Sequence, residues 1–374
     1  MPKNKNRYKE YLINISLLLI ALVISLLILE FTVRQISPSV FHPGIDLNPN
    51  MNKKFDVNIA GISPSSNFTT NKWGFRGDPI PKNIDEYYFI LAIGGSTTKD
   101  TYIDNQKTWT YLLQERLKNS TEDKILVHNA GISGHSTRGH LLFMKTVVPE
   151  VKPNMIIFLV GANDLVNSLI YDSSEQNPWE TTSPIYYIFT KSRLMQIAYS
   201  WKQILFGELL PESEITRVFV LKKMAKPETE LSENFKDELI SLPDYERNLN
   251  EIIRIGKEND IRILFLTQPL LYEDNEYWSD IESHQDWIPI QRKKYYLSAQ
   301  TLAKMLNIFN NKLLEVCDDT DSECFDLASK IPHSHDYFYD SVHYNEAGAR
   351  LVATEIFDYL IEKNGTPLIK NKSR

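Results

Sequence analysis

The chain has 374 residues, 42% of them hydrophobic and 24% charged, an ordinary globular composition with length for one large domain plus extras. Its net charge of −7, with no Lys/Arg-rich stripe interleaved with aromatics, argues against nucleic acid as a partner. No internal repeat and no long low-complexity tract interrupts it.

The first predicted element is a membrane segment. Tyr11 to Leu29 is an unbroken uncharged run, mostly Leu and Ile. At 1.5 Å per residue it reaches roughly 29 Å, which matches a bilayer hydrocarbon core. Lys3, Lys5, Arg7 and Lys9 precede it, and Glu30 and Arg34 follow. The basic flank should stay in the cytoplasm. We therefore expect residues 1–10 to form a cytoplasmic tail, residues 11–33 a transmembrane signal-anchor helix, and the rest of the chain to lie outside the cytoplasm. A cleaved signal peptide is the rival, although the run is long for one and no Ala-x-Ala site follows it. The lack of a Cys near its end excludes a lipoprotein.

Residues 34–84 hold Pro38, Pro43, Pro49, Pro64, Pro79 and Pro81 among Asn- and Ser-rich stretches, and read as an extended tether and lead-in. Within them, Asn71-Lys72-Trp73-Gly74-Phe75-Arg76-Gly77 places two glycines among aromatics and an arginine. That pattern predicts a tight turn laid against a domain, with ligand binding as the alternative.

From 85 to 363 strands and helices alternate, before a short tail at 364–374. Tyr88–Ile93 is a strand-like run, followed by a helical stretch around Trp109–Leu117. Ile125–His128 is the second strand, with a helical pattern from about Gly139 to Val148. Met155–Val160 is the third and clearest strand. Asp244–Asn259 is amphipathic, Ile261–Thr267 is the fourth strand and Leu297–Val316 a long helix. Phe325–Leu327 is a short last strand and Asn345–Ile361 the last helix. Apolar strands with helical crossovers predict a parallel sheet covered on both faces, with ligands at the strands' carboxyl ends.

An insertion at 165–243 breaks this rhythm. It contains the aromatic, apolar stretch Pro184–Phe206. A simple crossover does not need it, so it reads as an inserted helical layer or, alternatively, as a lid or membrane-facing surface. Cys317 and Cys324 flank six residues; they form either a disulfide stapling a helix end to the next strand or two buried thiols.

Four motifs carry chemistry. Gly94-Gly95-Ser96-Thr97-Thr98, Asn129-Ala130-Gly131 and Gly161-Ala162-Asn163-Asp164 each close a strand-like run, and Asp340-Ser341-Val342-His343 opens a helical pattern. A serine hydroxyl needs a base to take its proton, and two glycines permit the sharp turn that exposes Ser96. The Gly-x-Ser-x-Gly elbow is half met, since Thr98 stands at the second glycine. His343 is the candidate base. Asp340, three residues earlier, can reach its Nδ1 and leave Nε2 for Ser96. Gly131 and Asn163, with the backbone N–H of Ser96, are the candidate oxyanion donors. Asp164 reads as a cap for its own helix. His333, His335 and Asp336 lie close to the acid–base pair and offer a metal site as the rival, but without helical His-x-x-x-His spacing.

This set resembles the SGNH hydrolases, the GDSL-like lipase/esterase superfamily, over about Tyr88 to Leu360. Gly94-Gly95-Ser96 is similar to block I, Gly131 to the block II glycine, Gly161-Ala162-Asn163-Asp164 to block III and Asp340-x-x-His343 to block V. Gly95 replaces the aspartate of Gly-Asp-Ser. The resemblance implies an α/β fold: a three-layer, flavodoxin-like α/β/α sandwich whose five-stranded parallel sheet runs in the order 2-1-3-4-5. It implies a catalytic triad of Ser96, Asp340 and His343, an oxyanion hole of Ser96, Gly131 and Asn163, and no metal or cofactor.

The expectation is a single-pass, extracytoplasmic serine esterase that removes a short acyl group, O-acetyl foremost, from an ester-bearing small molecule, glycan or lipid through an acyl-Ser96 intermediate. An envelope polysaccharide O-acyltransferase with the same triad and a non-catalytic glycan-binding or assembly protein are the alternatives.

Overall fold

This computed structural model describes residues 3–36, 45, 47–170, 192, 194, 239–272, 289–290, 295–296 and 299–364. The contacts divide the chain into two units, Met1–Pro43 with Thr182–Ser213, and Gly44–Thr181 with Glu214–Arg374.

In the first unit, helix α1 runs Lys3–Ile36. Its stretch Lys9–Val33 has a mean hydropathy of 3.0 and none of it is buried, so by length and composition it can cross a bilayer. The hydroxyls of Ser25 and Thr32 donate to the carbonyls of Ala21 and Ile28 at 2.8 Å, which satisfies them within the helix. Glu30 accepts from Ser192 Oγ (2.9 Å) and Leu194 N–H (3.1 Å). Ser192 and Leu194 apart, Pro184–Phe206 lies outside the described residues, and so does any lid role for it.

The second unit holds the sheet. Strands β1 (Asn52–Asp56) and β2 (Ser65–Thr69) form an antiparallel hairpin. Strands β3 (Tyr88–Gly94), β4 (Ile125–Asn129), β5 (Met155–Leu159), β6 (Arg262–Leu266) and β7 (Glu323–Phe325) form a parallel sheet in the order β4-β3-β5-β6-β7. Counted from β3, this is 2-1-3-4-5. Strands β4 and β5 are buried at every position, as a sheet covered on both faces requires. The register pairs Gly94 with Leu159, so β3 and β5 end level, and Ala92 with Asn129, so β4 ends two residues earlier. A two-residue antiparallel ladder joins Pro289–Ile290 to Tyr295–Tyr296.

Among the described residues the α-helices of this unit are α2 (Ser96–Lys99), α3 (Trp109–Ser120), α4 (Thr137–Thr146), α5 (Val148–Val151), α6 (Ala162–Ile170), α7 (Leu242–Glu258), α8 (Ala299–Thr320) and α9 (Glu346–Asn364). Right-handed crossovers change face where the strand order turns back from β4 to β5. Helix α3 thus packs with α9, and α7 packs with α4 and α8. Between sheet and helices, Phe158 stacks on Phe265 at 5.3 Å and Tyr245 meets Phe309 edge-on at 5.2 Å.

Three details differ from the sequence reading. The lead-in is no bare tether beyond residue 45: Ile45, Leu47, Phe68 and Phe75 are buried, and Arg76 bridges Asn129 of β4. The last strand is Glu323–Phe325, not Phe325–Leu327. Arg262 grips Glu323 through two hydrogen bonds, while Asp326 turns to accept from Thr267 Oγ1 and ends the ladder. Asp164 does not cap its own helix. It accepts from Thr137 N–H and Oγ1 (2.5 Å) and so caps α4, because α6 starts two residues before it and turns its side chain across the cleft.

Cys317, in the last turn of α8, and Cys324, in β7, form a disulfide with Cα atoms 6.1 Å apart. The helix end is thereby stapled to the edge strand.

Candidate active site

Ser96 is the first residue of α2, directly beyond β3, with Gly95 as its N-cap. Gly95 leaves room for the Asn163 amide: a Cβ there would run into Asn163 Nδ2 and push that side chain aside. Gly131 must be glycine for lack of space, since a Cβ would lie 2.3 Å from the backbone N of Lys99. The serine turn, the β4 exit and the start of α6 are thus pressed together by missing side chains.

His343 reaches this point from the far end of the chain. Tyr339 N–H donates to the carbonyl of His343 (3.0 Å), Asn345 N–H to that of Tyr337 (3.0 Å), and Leu271 N–H to that of Ser341 (2.8 Å). The loop 337–345 is therefore a closed turn tied to the end of β6. Asn345 then caps α9 by accepting from Ala347 and Gly348 N–H at 3.0 Å.

Within that turn, Asp340 Oδ1 accepts from the N–H groups of Val342 (3.0 Å) and His343 (2.7 Å), and Oδ2 lies 2.7 Å from His343 Nδ1. His343 Nε2 lies 2.7 Å from Ser96 Oγ. The three side chains make one continuous hydrogen-bonded line. Burial pushes the Asp340 carboxyl up, but the charge and hydrogen bonds of His343 with the Val342 N–H outweigh it, so the carboxyl sits below its ordinary value. It is ionised at neutral pH.

The candidate oxyanion donors surround Ser96. Its own N–H is in the first turn of α2 and by position has no intrahelical acceptor. Asn163, on the first turn of α6, places Nδ2 beside Gly95 and donates to the carbonyl of His135 at 2.9 Å. Gly131 N–H points at the side chain of its neighbour, donating to Asn129 Oδ1 at 2.9 Å. It must share or release that bond to reach an oxyanion.

Several residues here carry no sequence signal. Tyr339 lies parallel to the His343 ring, 5.5 Å between centroids, and fixes its plane. Gln268 accepts from Thr97 Oγ1 at 3.1 Å, next to the serine. Asp100 ends α2 in the left-handed region (φ 51°) and is buried. Burial pushes its carboxyl up to about 8 against the opposing pull of Arg76 and His343. A cavity of about 380 Å³ opens beside the ends of β6 and β7, lined among others by Gln268, Tyr272, Asn307, Asn311, Asp326 and His333. Among the described residues no three His, Cys, Asp or Glu side chains converge on a metal-sized site. Instead, His333 Nδ1 lies 2.8 Å from the carbonyl of Leu270.

The profile of the GDSL-like Lipase/Acylhydrolase family matches residues 92–351. This chain belongs to that family. The matched region contains Ser96, Gly131, Asn163, Asp340 and His343 but neither α1 nor the lead-in. Esterase TesA of Pseudomonas aeruginosa is 31% identical over 88 residues, which cover 24% of this chain and 43% of that protein, less than half its length. Among solved structures, Axe2, an acetylxylan esterase from Geobacillus stearothermophilus, aligns at 15% identity over 77% of this chain and 97% of its own, with a TM-score of 0.42. Esterase EstA from Pseudoalteromonas sp. aligns at 12% identity over 74% and 98%, with a TM-score of 0.40.

Proposed function

We propose that this protein is a membrane-anchored serine esterase that removes a short acyl group, such as O-acetyl, from a polyhydroxy substrate through an acyl-Ser96 intermediate. The observation that carries this reading is the unbroken line Asp340–His343–Ser96, with both links at 2.7 Å.

In the proposed reaction Ser96 Oγ attacks the ester carbonyl while His343 Nε2 takes its proton. Asp340 holds the Nδ1–H tautomer and stabilises the imidazolium. The tetrahedral oxyanion is held by Ser96 N–H, Asn163 Nδ2 and Gly131 N–H, each such donor being worth about 3 kcal/mol. Collapse expels the alcohol, which takes the proton from His343. Water then repeats the steps and releases the acid. None of these steps calls for a metal or cofactor.

The cavity at the ends of β6 and β7 is linked to the serine turn only through Gln268, which accepts from Thr97, and its amide, hydroxyl and carboxylate lining suits a sugar or other polyol as the alcohol part. The Cys317–Cys324 disulfide fits an oxidising compartment, and the basic residues before α1 fit an inside N-terminus. On this reading the catalytic unit faces out of the cytoplasm.

The test is a panel of short-chain aryl esters and O-acetylated oligosaccharides, offered to the wild type and to Ser96→Ala with and without sugar acceptors. Release of free acid that disappears in S96A supports an esterase. Acyl appearing on the acceptor in its place makes the protein an acyltransferase. Turnover that survives in S96A overturns the reading.

A further inference from the structure

The Asn71–Gly77 turn lies outside the matched family region, yet it reaches the site. Asn71 Oδ1 accepts from the N–H groups of Trp73 (2.9 Å) and Phe75 (3.2 Å), and Gly74 takes φ 81°. This fold-back delivers Arg76 to the edge of β4. There its N–H donates to the carbonyl of Asn129 (2.9 Å), and its carbonyl accepts from Asn129 N–H (2.8 Å).

The Arg76 side chain then runs beneath α2. It is 3% exposed, and its guanidinium lies 4.4 Å over the ring of Phe68. Nη1 donates to the carbonyls of Lys99 and Asp100, each at 2.6 Å. Nη2 donates to the carbonyl of Ile103 (2.7 Å) and to Asn105 Oδ1 (2.8 Å), and Nε also donates to Asn105 Oδ1 (2.9 Å). Every donor nitrogen of the fork is used. Two of the acceptors are the carbonyls of the last residue and of the C-cap of the helix that begins at Ser96.

Asn129, the other half of the same bridge, works from the opposite side. Its Nδ2 donates to the carbonyl of Thr98, and its Oδ1 accepts from Gly131 N–H. Arg76 and Asn129 together grip the carboxyl end of α2 and the Gly131 turn. A helix of four residues cannot hold its own geometry, because nucleating one turn is unfavourable. The direction of Ser96 Oγ is therefore set by what holds the far end of its helix.

We propose that Arg76 is a positioning residue for the nucleophile. By capping the carbonyls of Lys99 and Asp100 while bridged to Asn129, it fixes the Ser96 turn and the Gly131 turn relative to each other. The planar fork is essential to this role, since a lysine ammonium has neither the reach nor the directions to serve acceptors on two sides. The proposal rests on the reading of Ser96 as nucleophile.

The test uses the full-length protein in detergent micelles, with Ser96→Ala as a parallel control. R76K and R76A are compared with the wild type for kcat and KM on p-nitrophenyl acetate and for the rate of fluorophosphonate labelling. All measurements are made well below each variant's melting temperature. We expect kcat and the labelling rate to fall at least tenfold in both variants, with KM within threefold of wild type. Millimolar guanidinium should restore part of the loss in R76A, whereas methylammonium should not. A folded R76K with wild-type kcat and labelling rate overturns the proposal. So does a loss in R76A that guanidinium leaves untouched. If neither variant folds, N105A decides, because it removes the acceptor of Nε and Nη2 while keeping the cation: a fall in kcat at constant KM supports positioning, and an unchanged kcat overturns it. Turnover in S96A would overturn the Ser96 reading itself, a separate failure.

Discussion

Asp340 accepts three hydrogen bonds, two of them from backbone N–H groups of its own turn, so its orientation does not depend on the histidine it serves. This predicts a clean separation of roles. His343→Ala should abolish nearly all turnover. Asp340→Asn should keep the fold but present the wrong histidine tautomer, lowering kcat by about 10³–10⁴-fold. Steady-state kinetics with circular dichroism on each variant checks this; an active H343A would contradict it. Asp100 makes a second prediction. Its Oδ2 has no hydrogen-bond partner among the described residues, and its carboxyl faces Arg76, His343, Tyr339 and Tyr344. Burial raises it from 3.8 to about 8. The folded state thus holds a proton that the unfolded chain releases near pH 3.8. Between those values the folded state binds more protons, so this group's contribution to stability falls as pH rises. Asp100→Asn should remove that slope. Urea midpoints of wild type and D100N, compared at pH 5 and pH 8, should converge or reverse in favour of D100N at the higher pH. A constant difference would contradict the account.

At the scale of elements, the lead-in is where structure departs most from sequence. Phe75 is fully buried, edge-on to Trp73 at 5.8 Å and 6.1 Å from Phe143 of α4, so residues before the matched family region contribute to the core. Phe75→Ala should cost about 3–5 kcal/mol in denaturant unfolding, whereas an unpacked tether would lose almost nothing. The strands β3 to β6 were legible because each is a short apolar run; β3 and β4 end in glycine and asparagine, β5 is followed by Gly161, and β6 stops three residues before Pro269. The residues of the Asp340–His343–Ser96 line were legible because a serine turn and an Asp-x-x-His turn stand out locally in the sequence. The lead-in was not, for its prolines and asparagines look the same whether the chain is free or folded back, and Arg76 acquires its acceptors only in three dimensions. Asp164 was misread for a related reason. A side chain can cap any nearby helix, and only the packing of α6 against α4 selects which. Tyr339 and Gln268 left no trace either, because stacking on a histidine or holding a neighbouring threonine imposes no spacing.

At the scale of the whole molecule, two independently described units share one chain. One carries an apolar helix whose Glu30 is held by Ser192 and Leu194, and the other carries the sheet and the proposed site. The proposed topology predicts that the full chain resists extraction by alkaline carbonate, and that a reporter active only in oxidising surroundings works when fused after Arg374. A protein washed off by carbonate, or one whose mature N-terminus begins after residue 30, would contradict the anchor. The central claim, that Ser96 is the nucleophile of the Asp340–His343–Ser96 line, has a more direct test. The full-length protein in detergent is treated with a fluorophosphonate, digested and mapped by mass spectrometry. The account predicts one stoichiometric adduct on Ser96, absent from S96A and strongly slowed in H343A. An adduct on a different serine, or none from a preparation that turns over ester, would contradict it.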